Sequence, residues 1–458
     1  MHPKLTETLS KYNKIILVGG GTGGHIQPIV SLIQWLHPTI PPSDHPTIFL
    51  WIWWKNSNES QEAKKNNIEF RSISTLKLST TKSPKVLLYP FVLFQWILEA
   101  RKILGSVIAN KVKQSSQKKD TAGSLRTPGW PLSSFHSDSP FPSLWQKSNL
   151  RTYEPTNLPV AVFSKWWPWS VAVGIAAWIL GIPLYIHESD TIPGRSNRLL
   201  GKIATKVFLW FERAKQYFNP EKCEIIWQIL HPVFSSHCEP AKQSRKAEIQ
   251  KPLARFVPRD DRSMANWRTN KPHLLVICAS QWARVVFEEI LANLEEILKE
   301  NELILVLGKL NTDMRKDFEE KLNTRFLHLP ADRHGTQEWQ KSTIWPSNYP
   351  TIQLFDWLSQ EDIARLIPDT DIAITRGSAT TLAELTAFSS SHLRTYEPTN
   401  LPRPRLIIIP LPYSADNHQY YNAKEYEKLW HILLEQKNLN LLTQTLENIW
   451  QSSPPSNI

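Results

Sequence analysis

Short apolar runs that predict β-strands alternate with stretches of helical spacing along this 458-residue chain. The first run, at 14–18, is followed by glycines, and Ile29, Leu32 and Leu36 then recur at the spacing of one helical face. Comparable runs in this half of the chain lie at 14–18, 47–52, 159–163, 183–187 and 205–209. Strands and helices that alternate in this way predict a parallel, doubly wound sheet.

A second series of strands follows, at 273–280, 302–308, 371–375 and 405–410. The fold class that we predict is therefore α/β, with two Rossmann-like parallel-sheet domains that face each other across a cleft. The predicted segments are an N-terminal domain at 1–236, a linker at 237–270, a C-terminal domain at 271–425 and a helical segment at 426–458.

Four stretches interrupt this framework with polar sequence that is rich in Pro and Ser and lacks periodicity. They lie at about 115–157, 237–270, 332–351 and 389–403. An identical ten-residue segment occurs in the region of the first and the last, at 150–159 and 393–402. A repeat protein would carry its repeat throughout the chain. We therefore interpret the copies as an inserted genetic element that is carried as exposed loop.

The turn after the first strand, Gly19–Pro28, is dense in glycine and leads into a helix. Gly19, Gly21 and Gly24 also satisfy the G-x-G-x-x-G spacing. In such a turn, backbone N–H groups and the helix dipole approach an anion closely, because no side chain holds a phosphate away. The alternative is an ordinary tight turn in an α/β protein, and the pattern alone leaves both open.

The formal charge of +11, from 53 Lys and Arg against 42 Asp and Glu, favours anionic partners such as phosphates or an acidic membrane surface. We expect no nucleic acid, since the chain has no RGG-like tract, zinc spacing or basic–aromatic RNP pattern. Cys223, Cys238 and Cys278 are scattered without metal spacing, which suits a reducing cytosol. The N-terminus lacks the pattern of a signal peptide.

The segment Trp166–Ile186 carries no charge and is long enough to span a membrane. However, it contains Pro168 and Pro183, and Gly181–Pro183 predicts a turn between a helix and a strand. We therefore expect no transmembrane helix here.

The segment 76–114 combines an apolar block at 86–94 with basic flanks. The flanking cations are Lys77, Lys82, Lys85, Arg101, Lys102, Lys111 and Lys113. One interpretation is a core helix with a solvated end. The other is an interfacial patch that docks on anionic lipid.

Polar clusters follow several of the predicted strands. His187–Asp190 comes directly after one strand, Arg376–Glu384 forms another strand-to-helix turn, and Asp416–Gln419 follows a third. Parallel α/β sheets bind ligands beyond the carboxyl ends of their strands. Glu384, one turn into its helix, is placed to bond the diol of a sugar. Each cluster alone also fits a helix cap or a solvated loop.

These motifs resemble the MurG family of UDP-N-acetylglucosamine transferases, in glycosyltransferase family 28. The resemblance spans nearly the whole chain apart from the inserts, in collinear order. The matching positions are Gly20–His25 with Pro28, His187–Asp190 with Pro193, Gly194 and Asn197, Ser280 and Gln281 before Ala283, Arg376–Glu384, and Asn417–Gln419 with Asn422 and Ala423.

The resemblance implies a GT-B fold whose N-terminal domain takes a lipid-linked acceptor and whose C-terminal domain takes UDP-GlcNAc. It implies an inverting transfer of N-acetylglucosamine to undecaprenyl-pyrophosphoryl-MurNAc-pentapeptide (lipid I), which gives lipid II in peptidoglycan synthesis. No metal or other cofactor is implied, since helix N-termini and glycine-loop amides can carry the leaving diphosphate. The expected location is peripheral, on the cytoplasmic face of the cell membrane, with an anionic lipid surface as partner.

The resemblance also implies roles for individual residues. His25 and Asp190 face the transfer centre as catalytic residues, and His25 is the first choice for the general base. The substrate-binding residues implied are Thr22, Gly23, Gly24, Glu188, Asp190, Ser280, Gln281, Leu358, Arg376, Ala379, Thr380, Thr381, Glu384, Asn417, His418 and Gln419.

The chain departs from the family mainly through its 20 tryptophans, against only 15 glycines. Tryptophan stands where the family has glycine at Trp166, Trp167 and Trp282, and glycine is also expected near Trp51, Trp210, Trp227 and Trp430. An indole at such turns would need φ values that it disfavours. Our hypothesis is that UGA codons which specify glycine have been translated as tryptophan. The alternative is a genuinely Trp-rich, inactive homologue.

A second departure is His231–Phe234, which occupies the place of a donor-contacting arginine of the family.

Three other functions compete with the transferase. A nicotinamide-dependent oxidoreductase needs an acidic residue at the end of the second strand, and none follows Trp51 before Glu59. A catalytically impaired GT-B homologue that acts as a binding protein stays open. So does an enzyme like the UDP-GlcNAc 2-epimerases, which would share the donor cluster but needs no lipid-docking patch.

Overall fold

The computed structural model describes residues 2–20, 23–39, 48–55, 57–73, 89–119, 160–165, 170–234, 271–278, 282–325, 352–388 and 404–451. They form two compact units: Met1–Glu188 with Pro193–Ile229, and Ser189–Ile192 with Leu230–Ile458. The four predicted inserts lie outside the described residues, except that 115–119 continue a helix.

The first unit is built on a parallel sheet of seven strands. They are β1 Lys14–Gly19, β2 Ile48–Trp54, β3 Glu69–Ile73, β4 Val160–Lys165, β5 Leu184–Glu188, β6 Lys206–Leu209 and β7 Cys223–Ile225. The order is β3-β2-β1-β4-β5-β6-β7, so the direction of winding reverses between β1 and β4. The central strands are buried along almost their whole length, which explains why they appear in the sequence as continuous apolar runs.

Helices connect these strands. They are α1 Pro3–Leu9, α2 Gly23–Thr39, α3 Asn58–Lys65, α4 Tyr89–Lys119, α5 Ser170–Ile179 and α6 Arg195–Gly201. The predicted turn at Gly181–Pro183 is confirmed: α5 ends at Ile179, Gly181 has φ of +68°, and β5 begins at Leu184. Among the described helices, none is long and apolar enough to cross a membrane.

Helix α4 presents apolar residues on two faces. Val92 and Trp96 are buried in the core of the first unit, and Leu93 packs against that core while half-buried. Phe91 and Phe94 are 73% and 59% exposed, and Leu98 lies one turn further on, also exposed. The core-helix interpretation therefore holds for one face, while the other face keeps large apolar side chains in solvent. Residues 76–88 lie outside the described residues.

The second unit contains a parallel sheet of six strands in the order β10-β9-β8-β11-β12-β13. The strands are β8 His273–Ile277, β9 Glu302–Val306, β10 Ile352–Phe355, β11 Ile372–Thr375, β12 Arg405–Ile408 and β13 Ile432–Leu433. Its helices are α7 Arg284–Ala292, α8 Leu294–Glu300, α9 Met314–Arg325, α10 Gln360–Leu366, α11 Ala379–Leu385, α12 His418–Glu427 and α13 Leu442–Gln451.

Helix α12 ends in a Schellman motif. His431 N–H donates to the Tyr426 carbonyl at 3.4 Å, and Trp430 N–H donates to the Glu427 carbonyl at 3.2 Å. Trp430 itself has φ of +68°, in the left-handed region that glycine adopts without steric cost. The expectation that tryptophan at a glycine position meets a disfavoured φ is confirmed here.

The same expectation is wrong at three other tryptophans. Trp51, Trp210 and Trp227 have no positive φ. Trp51 lies inside β2, is fully buried, and donates its indole N–H to the Gly19 carbonyl at 3.0 Å. An indole fits this position because the strand is extended and its neighbours leave room for the ring. Trp166 and Trp167 lie outside the described residues.

Candidate active site

The reversal of strand order in the first sheet brings the end of β1 beside the end of β4. Gly19 pairs in register with Lys165 there. A Cβ on Gly19 would lie 2.9 Å from Ile29 Cδ1 and 3.0 Å from Lys165 Cβ, so only glycine lets β4 and α2 approach this closely. The crevice at such a reversal is where open α/β sheets bind ligands.

The glycine-rich turn itself is only partly described. Gly23, Gly24 and His25 form the backbone of the first turn of α2. The His25 side chain and all of Thr22 lie outside the described residues. The predicted strand before the glycines and the helix after them are therefore confirmed, while the placement of the His25 imidazole stays a prediction.

Two buried bases meet at the carboxyl edge of the first sheet. Lys165 Nζ lies 2.9 Å from His187 Nδ1, and both side chains are buried. Burial, and then the Lys165 charge, hold the pKa of His187 well below its usual range. An ammonium group only donates, so the neutral imidazole accepts at Nδ1 and carries its proton on Nε2. That Nε2 is buried and has no hydrogen-bond partner among the described residues.

Glu188, at the end of β5, is buried and braces the turn that follows it. Its carboxylate accepts from Asn197 Nδ2 at 2.9 Å and from Gly194 N–H at 3.3 Å. Three of the matching residues, Glu188, Gly194 and Asn197, are thus joined by hydrogen bonds at the start of α6.

Asp190 belongs to the segment Ser189–Ile192, which is part of the second unit. Its Oδ1 accepts from Asn422 Nδ2 at 2.8 Å, and the same Nδ2 donates to the Gly377 carbonyl at 3.1 Å. Thr191 donates to Asn422 Oδ1 from its N–H and from its hydroxyl, both at 2.9 Å. The resemblance includes Asn422 without a role, and no local sequence signal links it to Asp190, 232 residues away.

The Arg376 side chain braces the loops around the second sheet. Its guanidinium is buried and donates to the Ile409 carbonyl at 3.2 Å, to Gln436 Oε1 at 2.9 Å and to the Trp282 carbonyl. Arg376 thereby fixes the chain directly after Ser280 and Gln281, which themselves lie outside the described residues.

The turn before α11 packs directly against the start of α12. A Cβ on Gly377 would lie 2.9 Å from Gln419 Cβ and would collide with the Gln419 carbonyl. Gln419 Oε1 is held by Leu411 N–H at 3.0 Å. His418 lies beside it and contacts the Ala415 carbonyl, while Asn417 is exposed with φ of +56°. The structure therefore brings together two motifs that the sequence treats as separate.

Glu384 is buried near the end of α11, and burial raises the pKa of its carboxyl to about 8. A hydrogen bond from Gln360 opposes part of this shift. Ala379, Thr380 and Thr381, at the start of the same helix, are also buried. Leu358 is half-buried just ahead of Ser359, the N-cap of α10. The helix thus holds a carboxyl that is largely uncharged at neutral pH.

His231, at the place of the family's arginine, lies 3.4 Å from Glu361 at the start of α10. Burial lowers the pKa of His231, and the Glu361 charge opposes that shift. Among the described residues, no group of three or more His, Cys, Asp or Glu side chains is arranged to hold a metal ion.

Family models match both units of the chain. The glycosyltransferase family 28 N-terminal domain matches residues 15–124 and 139–209, and the glycosyltransferase family 28 C-terminal domain matches 273–455.

Curated relatives match over most of their length. Two are named UDP-N-acetylglucosamine–N-acetylmuramyl-(pentapeptide) pyrophosphoryl-undecaprenol N-acetylglucosamine transferase. The one from Clostridium tetani is 24% identical over 93% of this chain and 86% of its own. The one from Clostridium perfringens is 24% identical over 96% of this chain and 91% of its own.

Solved structures resemble the fold at lower identity. The crystal structure of Acinetobacter baumannii MurG covers 95% of this chain and 90% of its own, with a TM-score of 0.55 at 16% identity. A UDP-GlcNAc 2-epimerase from Neisseria meningitidis, bound to UDP-GlcNAc, covers 96% and 92%, with a TM-score of 0.50 at 10% identity. The predicted α/β class, two Rossmann-like parallel-sheet domains of GT-B type, is confirmed. Because the family models cover most of both units, the chain belongs to glycosyltransferase family 28 and is a glycosyltransferase.

Proposed function

We propose that the chain transfers N-acetylglucosamine from UDP-GlcNAc to lipid I, giving lipid II in peptidoglycan synthesis. The observation that carries this proposal is the match to family 28 over both units, together with curated relatives of that activity that align along most of both chains. The motifs at the carboxyl ends of β1, β5 and β11 support it, because each contributes a turn suited to a phosphate or a sugar.

The reaction is an inverting displacement at one carbon. A hydroxyl of the acceptor sugar attacks the anomeric carbon of the GlcNAc, and the bond from that carbon to the UDP oxygen breaks. UDP leaves with the electron pair, and the hydroxyl proton passes to a general base. Backbone N–H groups aimed at the diphosphate would stabilise the charge that grows on the leaving group.

On the donor side, Glu384 accepts the two ribose hydroxyls, while Ala379–Thr381 and Gln419 line the nucleotide sugar. The packing of Gly377 against Gln419 supports this arrangement, because it holds both motifs at one end of the second sheet. Thr22, Gly23 and Gly24, in the turn after β1, frame the donor sugar and its phosphates. At the transfer centre, His25 is the base and Asp190 orients the acceptor hydroxyl.

The acceptor is membrane-bound, so the enzyme must reach a lipid surface. Phe91, Phe94 and Leu98 on the exposed face of α4, with exposed Arg101 and Lys102 beyond them, have the composition of an interfacial docking surface. Apolar side chains would enter the headgroup region while the cations face anionic phosphates. The location that we propose is therefore peripheral, on the cytoplasmic face of the membrane.

The test is a transfer assay with purified full-length protein, UDP-GlcNAc and lipid I, read by UDP release and by the mass of the lipid product. We expect a product that carries one added N-acetylhexosamine, and no UDP release when the acceptor is omitted. Conversion of UDP-GlcNAc alone to its C2 epimer would replace the proposal with the epimerase. Tight UDP-GlcNAc binding with no turnover would instead indicate a catalytically impaired homologue that acts as a binding protein.

The same assay tests the choice of base. His25→Ala should lower turnover about 10²- to 10⁴-fold with UDP affinity nearly unchanged, the loss typical of a general base. Unchanged turnover in this variant would exclude His25 from proton transfer.

A further inference from the structure

The side-chain amide of Asn422 uses its full hydrogen-bonding capacity. It is fully buried in α12, donates twice through Nδ2 and accepts twice through Oδ1. Its orientation is fixed by chemistry, since the nitrogen faces a carboxylate and a carbonyl while the oxygen faces the Thr191 N–H. A flipped amide would set oxygen against oxygen and N–H against N–H.

Other buried asparagines in the second unit bond differently. Asn301 Nδ2 donates to the Ile297 carbonyl at 2.9 Å, and Asn311 Nδ2 donates to the Leu307 carbonyl at 2.9 Å, each four residues back along the chain. Such bonds close a local turn. Asn422 instead reaches a carboxylate and a carbonyl that are distant in sequence, so its contacts fix the relative position of three separate pieces of chain.

Those pieces are the ones that the proposed reaction needs to hold together. Asp190 is the candidate for orienting the acceptor hydroxyl, and Gly377 lies in the turn that opens α11, the helix that carries Glu384. Because one Nδ2 group donates to both Asp190 and Gly377, the carboxylate is held at a set distance from that turn.

We propose that Asn422 is a positioning residue for the transfer reaction: through its amide it holds the Asp190 carboxylate beside the Gly377 turn, in the orientation that meets the acceptor hydroxyl. Asn422 itself touches neither substrate. This inference rests on the proposed transferase function and adds to it a residue that acts only through Asp190.

The test is a double-mutant cycle in the full-length chain, with Asn422→Ala, Asp190→Ala and both together. We expect Asn422→Ala to lower kcat about 10- to 100-fold, the loss typical of a hydrogen bond to a charged group. In the Asp190→Ala background, the same change should lower kcat by less than about twofold, because the group that Asn422 positions is gone. Losses that simply multiply would overturn the proposal.

Asn301→Ala is the matched control, because it also removes a buried amide from the second unit. It should lower the melting temperature while leaving kcat within about twofold of the parent. An equal kcat loss in both variants would show that Asn422 acts through general stability, and this would overturn the positioning role. KM for UDP-GlcNAc should stay close to the parent value in Asn422→Ala.

Crystal structures of the parent and of Asn422→Ala give a readout that does not depend on turnover. The Asp190 carboxylate should move or become disordered in the variant, and a carboxylate that keeps its place would overturn the proposal. A parent that fails to glycosylate lipid I would instead contradict the proposed function, so the two failures are distinguishable.

Discussion

The carboxyl group of Glu384 is buried in α11 with its pKa raised to about 8. It is therefore mostly protonated at pH 7, whereas a carboxylate that accepts both ribose hydroxyls must be ionised. Binding of UDP then releases a proton, and UDP affinity should rise with pH up to about 8. The folding stability of the protein without UDP has the opposite pH dependence. Because the pKa of Glu384 is raised in the folded state, the stability it contributes is present below the usual carboxyl pKa and is lost as the pH rises through about 8.

Substitution of Glu384 tests what the carboxylate contributes to UDP binding. Since charge-assisted hydrogen bonds contribute about 1.5–3 kcal/mol, Glu384→Ala should weaken UDP binding about 10- to 150-fold. Glu384→Gln should also remove the rise of affinity with pH. Calorimetry of UDP binding between pH 6 and 9 measures both effects, with exposed Glu361→Gln as the control that keeps the pH dependence. Parent-like affinity in Glu384→Ala would move the nucleotide out of this site.

Trp430 occupies the left-handed position of the Schellman motif that ends α12. A residue with a Cβ is disfavoured there by about 1–2 kcal/mol, and the indole is 52% exposed, so its burial offsets little. Trp430→Gly should therefore raise the free energy of unfolding by about 1 kcal/mol in urea titrations.

Trp227→Gly is the matched control for that change. Trp227 is 53% exposed but has no positive φ, and its ring contacts His2 edge-on. Glycine should destabilise the protein at this position because it only adds freedom to the unfolded chain. Stabilisation at both positions would show that the left-handed φ is not the cause.

At the scale of elements, the sequence predicted the inner strands and missed the outer ones. β3, β7, β10 and β13 have no counterpart in the predicted runs, and they are the outermost strands of the two sheets. An edge strand has a neighbouring strand on one side only and is less buried than an inner strand. β7 and β13 are in addition short, with three and two residues that are all half-buried. Without a continuous apolar run, periodicity gives no signal.

In the candidate site, the sequence likewise predicted the motifs that are continuous in the chain and missed the contacts between distant residues. Turns that are continuous in sequence, such as the one from Gly377 to Glu384, could be predicted because glycine, hydroxyl and acid stand close together. The Asn422–Asp190 and Lys165–His187 contacts could not, since they depend on how strands and helices are brought together. A buried lysine at the end of an apolar strand gives no local sign that its partner is a histidine.

The prediction on membrane docking concerns helix α4. Phe91, Phe94 and Leu98 changed together to serine should reduce binding to vesicles that contain phosphatidylglycerol by at least about tenfold, because each apolar side chain that leaves the lipid loses transfer free energy. Flotation or sedimentation of vesicles measures binding, and calorimetry should show unchanged UDP affinity. Leu93 is left in place because it packs on the core.

The control is a variant in which three leucines outside α4 are changed to serine. Leu199, Leu310 and Leu441 are also exposed, so this variant loses a similar amount of apolar surface elsewhere on the protein. It should bind vesicles like the parent. If both triple variants bind equally well, α4 is not the docking element.

For the molecule as a whole, the question is whether the tryptophan positions are tryptophan or glycine in the native protein. If UGA specifies glycine in the source organism, most of the 20 tryptophan positions are UGA codons, and peptide mass spectrometry of the native protein finds glycine there. UGG codons throughout would end this hypothesis. The left-handed Trp430 supports glycine at its own position, whereas the buried Trp51, which donates to the Gly19 carbonyl, shows that an indole is accommodated at another.

The outer strands also bear on how the chain behaves at high concentration. β7 and β13 offer only three and two residues to a strand added from another molecule, so such a strand would gain few backbone hydrogen bonds. At the other edge of the first sheet, Glu69 in β3 pairs with Lys14 and Arg71, and an incoming strand would have to desolvate these charges. These three edges of the described sheets are therefore poor templates for pairing with a strand of another molecule.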